Sequence, residues 1–118
     1  MKNIEISISM PETEFDQLID DIMAGYPEAG SGNCLKCTDF KYKTCTFKFT
    51  DVETDKKYTV ERPKLRIALK QMIEDLFKGE LPGIGQYVLQ DFKEAGNWDA
   101  YAADALVQYA IFEKVIYG

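Results

Sequence analysis

Two observations on the sequence and one on their order predict an α+β fold. Apolar residues alternate with polar ones over short stretches, at Ile4, Ile6 and Ile8, between Phe40 and Thr50, and at Tyr58 and Val60. That period belongs to strands with one buried face. Elsewhere apolar residues recur every three or four positions, the period of a helix. The order reads β-α-β-β-α-α-α. It predicts a small antiparallel-rich sheet of three strands, packed on one face by helices, with the C-terminal helix at the centre of a single domain, residues 1–118.

Each element has a local reason. Ile4, Ile6 and Ile8 alternate with Glu5, Ser7 and Ser9, a strand. Pro11 suits the opening of a helix, and Glu12 and Glu14 suit the positive end of its dipole. Phe15, Leu18, Ile19, Ile22 and Met23 then form one apolar face, and Gly25 with Tyr26-Pro27 ends the helix. Asp20 and Asp21 break a rule, because acids near a helix C-terminus oppose its dipole.

Residues 28–33 read as a loop. The strand region from Phe40 to Thr50 changes parity: Phe40 and Tyr42 are even, whereas Cys45, Phe47 and Phe49 are odd. A bulge or a break near Lys43-Thr44 would restore the facing. Asp51 to Lys56 is a turn, and Tyr58 and Val60 return as a hairpin strand. Pro63 opens a second helix with Leu65, Leu69, Met72, Ile73 and Leu76 inward and Gly79 closing it. Lys70, Glu74 and Lys78 have the spacing of surface ion pairs. A turn, Glu80 to Gly85, leads to a third helix over 86–95, and Asn97 is positioned to cap the fourth. That last segment, Trp98 to Tyr117, is apolar on three stripes and reads as one long helix of more than five turns. Its third stripe, Ala100, Val107 and Ile111, would need cover from the chain or from a second copy, so a homodimer is one expectation.

Composition narrows the function. In 118 residues there is no histidine, which excludes Ser-His-Asp and Cys-His catalysis in their usual forms and the common histidine-bearing zinc sites. No apolar run is long enough to cross a membrane, the N-terminal stretch lacks the apolar block of a signal peptide, and three cysteines suggest reduced thiols. The expected compartment is the cytoplasm. The net charge of −6 is uneven: residues 3–35 hold seven acids and no base, and residues 36–78 hold eleven bases against seven acids. The acidic total argues against direct nucleic-acid binding.

Four groups of residues are candidate sites. Glu12, Asp16 and Asp20 fall on one flank of the first helix and Glu14 and Asp21 on another, an acidic face with roughly the axial spacing of phosphates. Arg62, Lys64, Arg66 and Lys70 crowd the start of the second helix, where positive charge requires an anion or the protein's own acids. Lys41, Lys43 and Lys48 would extend this patch, with Phe40 and Tyr42 as stacking groups or core. Cys34, Cys37 and Cys45 would supply three thiolates to zinc, the one cofactor the sequence suggests, with Asp39 or water completing the set; ordinary thiols are the simpler reading. Tyr87, Tyr101, Tyr109, Asp99 and Asp104 would line a pocket if the chain were an enzyme or small-ligand protein using carboxylate, tyrosine or cysteine chemistry.

The expectation that accounts for most of these features is a non-enzymatic macromolecule-binding protein. It would be a small acidic inhibitor or adaptor of the kind carried by phages and mobile elements. It would act by protein–protein docking or nucleic-acid mimicry on a partner with a basic surface. A structural homo-oligomer subunit is the remaining alternative.

Overall fold

The computed structural model describes residues 9–24, 34–81 and 93–117. The expected strand over 4–8, the loop over 28–33 and most of the expected helix over 86–95 lie outside these residues. Within them the chain is α+β: helices α1 (Glu12–Ala24), α2 (Arg62–Phe77) and α3 (Ala100–Phe112), and strands β1 (Leu35–Lys41), β2 (Thr46–Asp51) and β3 (Lys57–Val60). The strands form one antiparallel sheet in the order β1-β2-β3.

The predicted parity break is a reversal of the chain. Tyr42–Thr44 form a 3-10 turn, and Cys45 adopts a left-handed conformation with φ 52°. What reads as one interrupted strand is therefore two strands folded back on each other. A separate irregularity between Cys37 and Asp39 shifts the β1–β2 register. Leu35 lies opposite Asp51 and Cys37 opposite Phe49. Beyond the shift, Phe40 faces Phe47 on that same side of the sheet.

One face of the sheet is core. Leu35, Phe47, Phe49 and Val60 are buried in one cluster with Leu18, Ile19, Ile22 and Met23 of α1, with the inward face of α2, and with Ala102, Leu106 and Val107 of α3. Burial of each large side chain contributes about 1.5–3 kcal/mol. Helix α2 ends as its glycine predicts: Gly79 has φ 75°, its N–H donates to the Leu76 carbonyl, and Glu80 N–H donates to the Asp75 carbonyl. This is a Schellman closure, which requires the left-handed residue that glycine supplies.

The C-terminal segment is wrapped on several sides, since Ala102, Ala103, Ala105, Leu106, Val107, Gln108 and Tyr109 are all buried. Val107 of the third stripe is fully covered within one chain. The expected span is too long, however. Asp99 rather than Asn97 caps the helix, its Oδ1 accepting from Ala102 N–H at 2.8 Å. The helix stops at Phe112, and Glu113 turns left-handed with φ 65°.

Gln108 explains the stop. Its side chain is 1% exposed, and its Oε1 accepts from the backbone N–H of both Ile116 and Tyr117, each at 2.9 Å. Its Nε2 donates to Asp104 Oδ2 at 2.8 Å and to the Tyr117 carbonyl at 3.1 Å. All four hydrogen-bonding positions of the amide are filled. The tail folds back to make these bonds, which a continuous helix would forbid.

Candidate interaction surfaces

The acidic and basic groups singled out in the sequence meet each other. Arg62 Nη2 lies 2.8 Å from Asp20 Oδ1, and Arg66 Nη2 lies 2.8 Å from Glu12 Oε1. Arg66 also grips both carboxylate oxygens of Asp16, with its Nε 2.7 Å from Oδ1. Arg62 adds a bond to the Asp16 carbonyl at 3.3 Å. The pairing runs Arg62 to Asp20 and Arg66 to Glu12, so α1 and α2 run in opposite directions along this seam.

Two local violations of the dipole rule thus relieve one another. Asp20 sits at the negative end of α1 and Arg62 at the positive end of α2, and each is the other's counter-ion. The Arg66 hydrogen bonds draw the Asp16 carboxyl below its usual 3.8 despite the opposing effect of burial, and the charges of Arg66 and Arg62 assist. Asp16 in turn pushes the Arg66 guanidinium upward.

The remaining members of these groups stand apart from the seam. Asp21 accepts from Gln17 Nε2 at 2.9 Å, and Glu14, Lys64 and Lys70 are exposed. The ion pairs expected among Lys70, Glu74 and Lys78 do not form. The i, i+4 bond on that helix is Gln71 to Asp75, at 2.9 Å.

The three thiols occupy different environments. Cys34 stands before β1, Cys37 lies within it, and Cys45 is buried in the β1–β2 turn. Burial raises the pKa of all three, with Glu53 and Asp51 adding to the effect at Cys34. A zinc site would lower them. Among the described residues, no group of three or more cysteines and acids is placed to hold a metal ion.

The residues proposed for a pocket have separate structural duties. Asp99 caps α3, Asp104 holds Gln108, and Tyr109 donates to Asp75 Oδ2 at 2.6 Å. Tyr101 is exposed, and Tyr87 lies outside the described residues.

Sequence reasoning missed the outer face of the sheet as a unit. Residues paired across antiparallel strands point the same way. Lys36, Thr50 and Lys57 form one row, Asp39, Lys48 and Thr59 the next, and Lys41 with Thr46 a third. The four lysines are exposed, and none makes an ion pair among the described residues. Asp39 is the face's one acid in these rows, and its Oδ1 accepts from Phe40 N–H at 2.9 Å. Rows two residues apart are spaced by about 7 Å, and the outer strands by about 10 Å. The signal was present as lysines alternating with core residues in β2, at Phe47-Lys48-Phe49.

At the β1–β2 end, Phe40 and Tyr42 are both more than 40% exposed, with ring centroids 4.8 Å apart. The Tyr42 hydroxyl donates to the Ala24 carbonyl at 2.6 Å, which ties the turn to the end of α1. No protein-family model, curated protein or solved structure matches the chain, so the surfaces are read from their own geometry.

Proposed function

We propose that the chain is a non-enzymatic binding protein that docks on another macromolecule through the outer face of its sheet, as an adaptor or inhibitor. One observation carries this reading. Both arginines of the chain are satisfied by the chain's own acids, whereas the sheet presents Lys36, Lys41, Lys48 and Lys57 on the face turned away from α1, α2 and α3, without counter-ions among the described residues. Docking through the acidic flank of α1 would have to displace Arg62 and Arg66 from Glu12, Asp16 and Asp20. Docking through the sheet breaks no ion pair among the described residues.

The test is capture from a lysate of the native host by the wild-type chain and by Lys36→Glu/Lys48→Glu. The expected result is a macromolecule retained by the wild type and lost with the variant. Equal retention by both, or none by either, overturns the reading.

A further inference from the structure

We infer that Gln108, Asp104 and Asp51 form a seat for a short tyrosine-bearing peptide, which the chain's own Ile116 and Tyr117 occupy in cis and a second protein takes in trans. The seat lies on the core side of the sheet, where Asp51 pairs with buried Leu35. It is separate from the lysine rows and does not depend on the docking reading above.

Three features carry the inference. The first is how the segment is held. Gln108 Oε1 accepts from the N–H groups of Ile116 and Tyr117, and its Nε2 donates to the Tyr117 carbonyl. One buried side chain thus clasps both the N–H and the carbonyl of a single residue. Main-chain bonds of this kind give affinity and leave selection to a side-chain pocket. Here the selecting group is Asp51, whose Oδ2 accepts from the Tyr117 hydroxyl at 2.7 Å. A buried carboxylate requires a donor at that place, which tyrosine brings and phenylalanine lacks.

The second feature is that the seat is organised without its occupant. Gln108 Nε2 also holds Asp104 Oδ2 at 2.8 Å, and Asp51 Oδ1 accepts from Glu53 N–H at 2.9 Å. Asp51 is positioned by β2, and Asp104 and Gln108 by α3. A site arranged before its ligand arrives binds it at lower cost. The third feature is the tether. Only Glu113, Lys114 and Val115 lie between α3 and the seated pair, and Glu113 has φ 65°, a strained conformation for a residue with a Cβ. Opening about this hinge hydrates Gln108 and Asp51 while α3 and the sheet stay packed. A second copy of the chain has its own tail seated in the same way, so the partner in trans is another protein.

The test uses the full chain carrying Tyr117→Ala, which empties the tyrosine position. The probe is a fluorescein-labelled peptide Glu-Lys-Val-Ile-Tyr, the sequence of residues 113–117, followed by anisotropy. It should bind this variant about 10-fold or more tighter than the wild type, whose tail competes for the seat. Phenylalanine in place of the probe's tyrosine should weaken binding about 10-fold or more, the loss of a bond to a charged group. That preference should shrink to about 3-fold or less in Tyr117→Ala/Asp51→Asn, where the acceptor is neutral. A phosphotyrosine probe should not bind, because the charges of Asp51 and Glu53 act on this position. If Tyr117→Ala does not fold, Tyr117→Phe removes the same hydroxyl with the ring retained, and the same ranking of probes is expected. In the wild type, the amide protons of Ile116 and Tyr117 should exchange about 10-fold or more faster than those of Leu106 and Val107.

Exchange of all four amides at one rate overturns the inference, because the tail then opens only with the whole fold. So does equal affinity for the tyrosine and phenylalanine probes, or no binding to either variant at about 1 mM probe, the order of concentration a short tether supplies. Concentration-dependent pairing of the wild type in light scattering, lost in Tyr117→Ala, overturns the choice of another protein and gives the seat to a second copy.

Discussion

Two polar clusters hold this fold, and they differ in where water is. The seam between α1 and α2 is charged and half-exposed, with Asp16 at 23% and Arg66 at 38% side-chain exposure. The tail cluster is buried: Gln108 and Asp51 are each 1% exposed, and Tyr117 bridges them. Its hydroxyl donates to Asp51 Oδ2 at 2.7 Å, while its backbone N–H and carbonyl meet Gln108. Ions at a wet seam exchange one set of good partners for another, so little is lost when a pair is broken. Buried amides and carboxylates have no alternative partner, so each broken bond costs the full desolvation of what remains. The buried cluster should therefore stabilise the fold more than the half-exposed seam.

The largest expected effect tests that contrast directly. Gln108→Ala strands the N–H groups of Ile116 and Tyr117 and should destabilise the fold by about 3 kcal/mol in urea denaturation. A loss under about 1 kcal/mol would erase the distinction between the clusters. Next comes Tyr117→Phe, expected to cost about 1.5–3 kcal/mol because the hydroxyl donates to a charged group. The same bond, with burial adding to it, pushes the Tyr117 phenol up to about 12. The unfolded phenol ionises first, near pH 10, so this contribution is full below about pH 10 and fades as pH rises towards 12. Ultraviolet titration of Tyr117→Phe beside the wild type should show one late-titrating phenol fewer, with Tyr109, raised by burial and by its bond to Asp75, still titrating late.

At the seam, Arg66→Ala should cost about 1 kcal/mol, and Arg66→Lys should recover only part of it, since an ammonium lacks the fork that grips both Asp16 oxygens. Asp16 and Asp51 are both held below 3.8; at Asp51, burial opposes the shift, and the bonds from Tyr117, Glu53 and Thr54 overcome it. In acid the unfolded chain therefore takes up protons first. Stability is complete above about pH 4 and falls as pH drops through the folded values. Acid titration of Arg66→Ala should show a shallower fall, with the Asp51 share remaining. Smallest of all is Lys36→Glu, which touches no core residue and should shift stability by less than about 0.5 kcal/mol. A larger loss would mean that the outer face is structural, sharpening the line between faces that bind and clusters that hold.

Much of this was legible in residue order. The inward residues of α1 and α2 follow from their spacing, because the periods of helix and sheet are set by the backbone. The parity change at Tyr42 to Cys45 marked a break correctly, although only pairing showed that the chain reverses there. Asp20 and Arg62 were each marked as out of place, and each answers the other. Gln108 is one of the few polar residues of the last segment, and nothing in its spacing marked it as buried. Its partners were not visible, because Tyr117 reaches Asp51 across 66 positions.

By itself the sequence determined the helices over 12–24 and 62–77, the strands around Phe47 to Phe49 and Tyr58 to Val60, and the apolar face of each, since those depend on neighbours a few positions away. It also excluded histidine chemistry. Tertiary structure alone decided that the acidic flank and the arginines neutralise each other, that the last helix ends at Phe112, and that four lysines share one open face. Those outcomes depend on groups distant in the chain meeting at less than 3 Å or aligning across strands, and local periodicity holds no information on either.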